Sequence, residues 1–144
     1  MHIFPIVLEN SLRIQGFPLR GIWMDVGRPH DLIRANMAVA NRYGSGGGEI
    51  EKAVVDGTVY VGSGSKVQSG EMTDSIVLRD SLVVDSYLKN TLIMESCTIV
   101  GADIQDSIIG EGCTINAGAV IRNAVLEDGT SIASNTVLDE GREV

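Results

Sequence analysis

From Val55 to Leu138 an aliphatic side chain returns every five or six residues, and the residue two places before almost every one is small. The series is Val55, Val61, Val67, Met72, Val77, Val83, Leu88, Ile93, Ile99, Ile104, Ile109, Ile115, Ile121, Leu126, Ile132 and Leu138. The residue two places earlier is Ala, Ser, Thr, Gly or Cys throughout, with Val59 the single exception.

A period near six suits neither an amphipathic helix, which repeats every 3.6 residues, nor a simple two-faced strand. It matches a hexapeptide-repeat parallel β-helix, where each short strand forms one wall of a triangular coil. Residues two apart on a strand share a face, so both members of each pair point inward. A prism that narrow holds one large side chain per wall, which explains the small partner. Three walls make a coil of 16 to 17 residues, and the spacing from Val55 predicts about five coils. Stacked at roughly 4.8 Å, they form a rod about 25 Å long. The fold class expected is mainly β, with a short α/β segment in front.

Scarce aromatic residues and 17 glycines agree with short strands and tight corners. A formal charge of −8 argues against binding nucleic acid or an anionic membrane. No apolar run reaches membrane-spanning length, and the first ten residues show no basic region followed by a long apolar stretch. A cytoplasmic protein is the expectation.

Cys97 and Cys113 precede Ile99 and Ile115 and should stack as neighbours on successive coils. A disulfide is sterically conceivable at that spacing, but reduced, buried thiols in the small-residue slot are the expected state. Corners such as Thr73-Asp74-Ser75, Arg79-Asp80-Ser81, Lys89-Asn90-Thr91, Gln105-Asp106-Ser107 and Arg122-Asn123-Ala124 place Asp or Asn where the chain turns. Such side chains bond nearby backbone amides. A stacked carboxylate ladder holding Ca²⁺ is the alternative. At the lower end, the charged run Asp139-Glu140-Gly141-Arg142-Glu143 is expected to blunt the open strand edge.

Residues 1–43 differ in kind. Phe4-Pro5-Ile6-Val7-Leu8-Glu9, the alternating Leu12 to Gln15, and a stretch through Leu19 and Ile22 read as hairpin-like strands. From Pro29 to Tyr43 the pattern is helical, with Pro suited to the first turn, Asp31 near the N-terminus, and Leu32, Ile33, Met37, Val39 and Ala40 apolar. The glycine-rich stretch 44–49 ends the helix and is expected to act as a joint. The β-helix then occupies 50–141.

Gly21-Ile22-Trp23-Met24-Asp25-Val26-Gly27-Arg28-Pro29-His30-Asp31-Leu32-Ile33-Arg34-Ala35-Asn36 resembles the G-x-W-x-D-[IV]-G-x-P-x-x-[LY]-x-x-A-N segment of sugar-1-phosphate nucleotidyltransferases. The similarity is greatest to mannose-1-phosphate guanylyltransferases and glucose-1-phosphate thymidylyl- or uridylyltransferases. In that family the segment closes the catalytic domain and leads into a left-handed β-helix. Phe4-Pro5 is similar to the family's upstream F-P element. The resemblance implies that residues 1–43 are the end of a nucleotidyltransferase domain, that Trp23 packs in its core, and that coiling is left-handed. The general rule for parallel crossovers would give right-handed coils.

The family's reaction joins a sugar-1-phosphate oxygen to the α-phosphate of a nucleoside triphosphate and releases pyrophosphate. The resemblance implies Mg²⁺ as cofactor of the complete enzyme and makes Asp25 one of two metal-ligating carboxylates. The second belongs to a part of the family sequence without counterpart here. The family's glycine-rich nucleotide loop is likewise unmatched: Gly46-Gly47-Gly48 is followed by Glu49 rather than a phosphate-binding cation. Asp25 is therefore expected to be silent in this chain alone, or simply to cap a turn before Gly27. Arg28 and His30 lie beside it, where phosphate contact and a surface or interdomain role are both open.

Hexapeptide β-helices also form acyltransferases, which generally use a histidine as general base. The only histidines are His2 and His30, neither in 50–144, and Lys66, Lys89 and Cys97 are poor substitutes. The third class is a non-catalytic scaffold. Because the apolar residues of 1–43 have no sheet of their own, they are expected to pack on the β-helix, on another copy or on a separate catalytic domain. A homo-oligomer, most naturally a trimer, is the expected assembly.

Overall fold

The computed structural model describes residues 3–44 and 46–141. Two helices, α1 (Ile3–Glu9) and α2 (Pro29–Tyr43), precede thirteen strands. These are β1 (Glu49–Glu51), β2 (Val54–Val61), β3 (Lys66–Val77), β4 (Leu82–Lys89), β5 (Leu92–Ile93), β6 (Thr98–Val100), β7 (Asp103–Gln105), β8 (Ile108–Ile109), β9 (Thr114–Ile115), β10 (Val120–Arg122), β11 (Val125–Leu126), β12 (Ser131–Ile132) and β13 (Val137–Asp139). Every pairing is parallel, and the partners lie one coil apart, which makes a β-solenoid.

The register sorts the aliphatic series into three columns. Ile50, Val67, Val83, Ile99, Ile115 and Ile132 align on the first wall. Val55, Met72, Leu88, Ile104, Ile121 and Leu138 align on the second. Val61, Val77, Ile93, Ile109 and Leu126 align on the third. Ile99 and Ile115 face each other across adjacent coils and are fully buried, as the period requires.

There are about six turns rather than five, because β1 adds a coil above Val55. Gly48 fills the small slot before Ile50, and its N–H bonds the Val61 carbonyl at 3.0 Å. Gly46 and Gly48 run so close to Val61 and Gly62 that a Cβ on either would collide with their carbonyl oxygens. Close approach is thus a reason for glycine there beyond the flexibility expected of a joint. The Val59 exception also has a cause. The β2–β3 register shifts between Asp56 and Val59, where Gly57 takes φ 66° and lengthens the corner.

α2 matches its expected bounds, with Pro29 in the first turn and Gly44 (φ 98°) donating its N–H to the Ala40 carbonyl. Fifteen residues span about 22 Å, close to the height of five stacked rungs. The helix lies against the outside of the third wall, where Ile33, Met37 and Ala40 meet Tyr60, Ile76, Leu92 and Ile108. This second apolar layer has a sequence signal: Ile76-Val77, Leu92-Ile93, Ile108-Ile109 and Val125-Leu126 are aliphatic doublets, one per coil. One member points in and the other out.

The hairpin-like strands do not form. Ile3–Glu9 is helical, and no strand occurs among described residues before Glu49. Leu12, Ile14, Phe17 and Leu19 are exposed. An isolated hairpin is marginal in water, and α2 already occupies the apolar outer wall, so these segments have no edge to join. His2, Arg142 and Glu143 lie outside the described residues. No helix among the described residues is long and apolar enough to cross a membrane.

Candidate functional site

α2 leaves two openings along the third wall. Near its C-terminus a cavity of about 300 Å³ is lined by Asn36, Val39, Ala40, Tyr43, Tyr60, Ile76 and Leu78. Thr58 Oγ1 donates to Asn41 Oδ1 at 3.1 Å above it and ties helix to coil. Near its N-terminus lies a cleft of about 500 Å³. Arg28, Pro29, His30 and Ile33 form one side, and Asn90, Asp106, Asn123, Val125 and Glu140 the other.

Asn90, Asp106 and Asn123 on its far side belong to a corner column that begins at Asp74, all four held at φ between 45° and 51°. This left-handed conformation is one that Asn and Asp tolerate better than other side chains. Their side chains, expected to bond backbone amides of their own turns, make bonds that run between coils instead. Asn90 Nδ2 donates to Asp106 Oδ1 at 2.7 Å, Asn123 Nδ2 to Asp139 Oδ1 at 3.2 Å, and Thr58 N to Asp74 Oδ1 at 2.9 Å. Amides alternate with carboxylates, so each charge has a neutral donor beside it. Among the described residues no group of three His, Cys, Asp or Glu is placed to hold a metal ion.

The structure therefore brings Arg28 and His30 to the coil corner, where His30 Nε2 lies 3.2 Å from Asp31 Oδ1. It does not bring Asp25 there. Asp25 is exposed, its Oδ1 packed toward Gly27. Trp23, expected in a domain core, is 74% exposed in this chain. Asp25 is a single exposed carboxylate here, and Mg²⁺, which needs octahedral oxygen ligation, would require further ligands beside it. Asn90, Asn123 and Glu140 were not picked out by sequence as neighbours of Arg28. The helical pattern beginning at Pro29 and the Asp/Asn corner period were the available signals.

Inside the prism the small residues do chemical work of another kind. Ser65 Oγ accepts from Ser81 N, Ser81 Oγ from Cys97 N, Ser75 Oγ from Thr91 N, Ser86 Oγ from Ala102 N and Ser107 Oγ from Ala124 N. Cys97 and Cys113 are free and buried, their thiols donating to the carbonyls of Gly110 and Glu127. Burial pushes the Cys97 thiol up to about 11. A protonated thiol is a weak nucleophile, so Cys97 is not an acyl-transfer candidate. Lys66 is held above its ordinary range by Glu51, which it meets at 2.9 Å, and so remains an ammonium rather than a base.

A family model described as GlmU-like, C-terminal hexapeptide, matches residues 63–143, more than half of the chain. The search of curated proteins found no match to this chain.

Proposed function

The chain belongs to the GlmU-like C-terminal hexapeptide family, and from that premise we propose that it is the C-terminal part of a sugar-1-phosphate nucleotidyltransferase. In this reading the β-helix is left-handed, oligomerises as a trimer, and serves as a platform that fixes the end of a catalytic domain. One observation carries it. Ile33 anchors α2 on the third wall, while Phe4, Phe17, Leu19 and Trp23 just upstream stand 69 to 78% exposed. Exposure on that scale is characteristic of a surface that packs on something else.

The role of this chain's own residues is positional. α2 holds Arg28 and His30 at the coil corner and fixes the direction in which the Asp25 segment leaves it. Asp25 contributes one carboxylate toward a site whose other ligands lie outside the described chain.

The test pairs this chain with a polypeptide carrying the glycine-rich nucleotide loop, encoded beside it. Pyrophosphate release from sugar-1-phosphate and nucleoside triphosphate is expected from the pair, from neither alone, and not with Asp25→Asn. No association and no release by the pair would overturn the reading. Turnover of acetyl-CoA with an amino-sugar phosphate by the chain alone would replace it with acyl transfer.

A further inference from the structure

The outward positions of the three walls differ sharply in charge. The third wall is covered by α2. On the second, every rung carries one charge: Asp56, Glu71, Lys89, Asp103, Arg122 and Asp139. On the first, Lys66 is matched to Glu49 and Glu51 at the top, and the next four rungs carry none. Their outward residues include Leu82, Thr98, Val100, Thr114 and Ser131, all exposed.

We propose that this uncharged first wall is the surface by which one copy of the chain meets a second copy. The inference rests on the association proposed above and names its surface. A chain of formal charge −8 repels its own kind, and the repulsion acts over about 10 Å at ordinary salt. Two copies reach contact at least cost where neither presents a charge. The first wall meets that condition over four rungs, whereas the second would set charged rungs against the same column on its neighbour. Interface centres are depleted in charged residues for the same reason. Apart from Leu82, these four rungs carry short or β-branched side chains, so apposed copies lose little side-chain freedom.

The experiment measures molar mass in solution by light scattering for the full chain, Val100→Arg, Thr114→Arg and a second-wall control, Lys89→Glu. Far-ultraviolet circular dichroism checks that each remains folded. The unsubstituted chain and the control are expected as oligomers, and the two arginine variants as single chains of 15.3 kDa. An outward cysteine gives a reading that does not depend on arginine being tolerated. Thr114→Cys should cross-link between copies with a short bis-maleimide, and Lys89→Cys should not, since the native thiols are buried. An oligomer unaffected by the arginines, or cross-linked through position 89 and not 114, overturns the surface while leaving association standing. A chain monomeric at every concentration overturns the association itself.

Discussion

The hydroxyl of Ser81 sits between two coils, accepting the buried N–H of Cys97 at 3.0 Å while donating to the Met94 carbonyl at 3.1 Å. Small size alone therefore does not define the slot. After Ala102 and Cys113 the next coil closes its own turn: Ala119 N bonds Asn116 O, and Thr130 N bonds Glu127 O. Ser81→Ala leaves the Cys97 N–H without its partner. The expected loss is about 1–3 kcal/mol, read by urea unfolding, although Ala fits the space.

Gly70 takes φ 86°, and a Cβ there would collide with the Ser86 backbone on the next coil. Gly70→Ala should cost about 1–3 kcal/mol from the backbone conformation, plus the displacement of Ser86. Gly112 also has positive φ but open space around it, so Gly112→Ala should cost less. A thermal melt of the pair checks the order.

Ile33 is 2% exposed between α2 and the third wall. Ile33→Ala removes a buried side chain worth about 2–5 kcal/mol, and the loss falls on helix docking rather than on the coils. Trypsin cleavage at Arg34 and Arg42 should accelerate on the order of tenfold or more, with the β-helix surviving in the fragment that begins at Tyr43.

The Cys97 thiol is raised from 9.0 to about 11 by burial, an effect that the backbone N–H of Cys113 partly opposes. The folded state thus holds its proton where the unfolded chain has lost it. Below about pH 8 this group does not alter stability; as pH rises from 9.0 toward 11 it lowers it. Unfolding midpoints measured across pH 8–11 should fall, and less so in Cys97→Ser. A thiol reagent at pH 8 should label neither cysteine until denaturant is added.

Asn90 separates Asp74 from Asp106 in the corner column and donates to the latter at 2.7 Å. Asn90→Asp puts like charges on successive rungs and should cost about 1 kcal/mol at neutral pH. Repulsion raises the carboxyl pKa values, so the cost should vanish as pH falls through the carboxylate range. A melting comparison at pH 7 and pH 4 checks it.

The spacing of aliphatic and small residues by itself determined the solenoid, its three columns and the stacking of Ile99 on Ile115. An inward position in so narrow a prism admits few side chains, so packing writes directly into the sequence. The helical span from Pro29 was legible for a similar reason, in its Pro, its apolar stripe and its closing glycine. The coil begun at Ile50 was obscured because Gly48 reads equally well as linker and as a small inward residue. Only the tertiary structure decided where α2 lies, which residues Arg28 and His30 face, and that Leu12–Ile22 finds no sheet to join. Those outcomes depend on which outward surface is already covered, and a surface is shared between segments far apart in the chain. Outward residues meet solvent or a partner instead of a fixed cavity, and local pattern constrains them weakly.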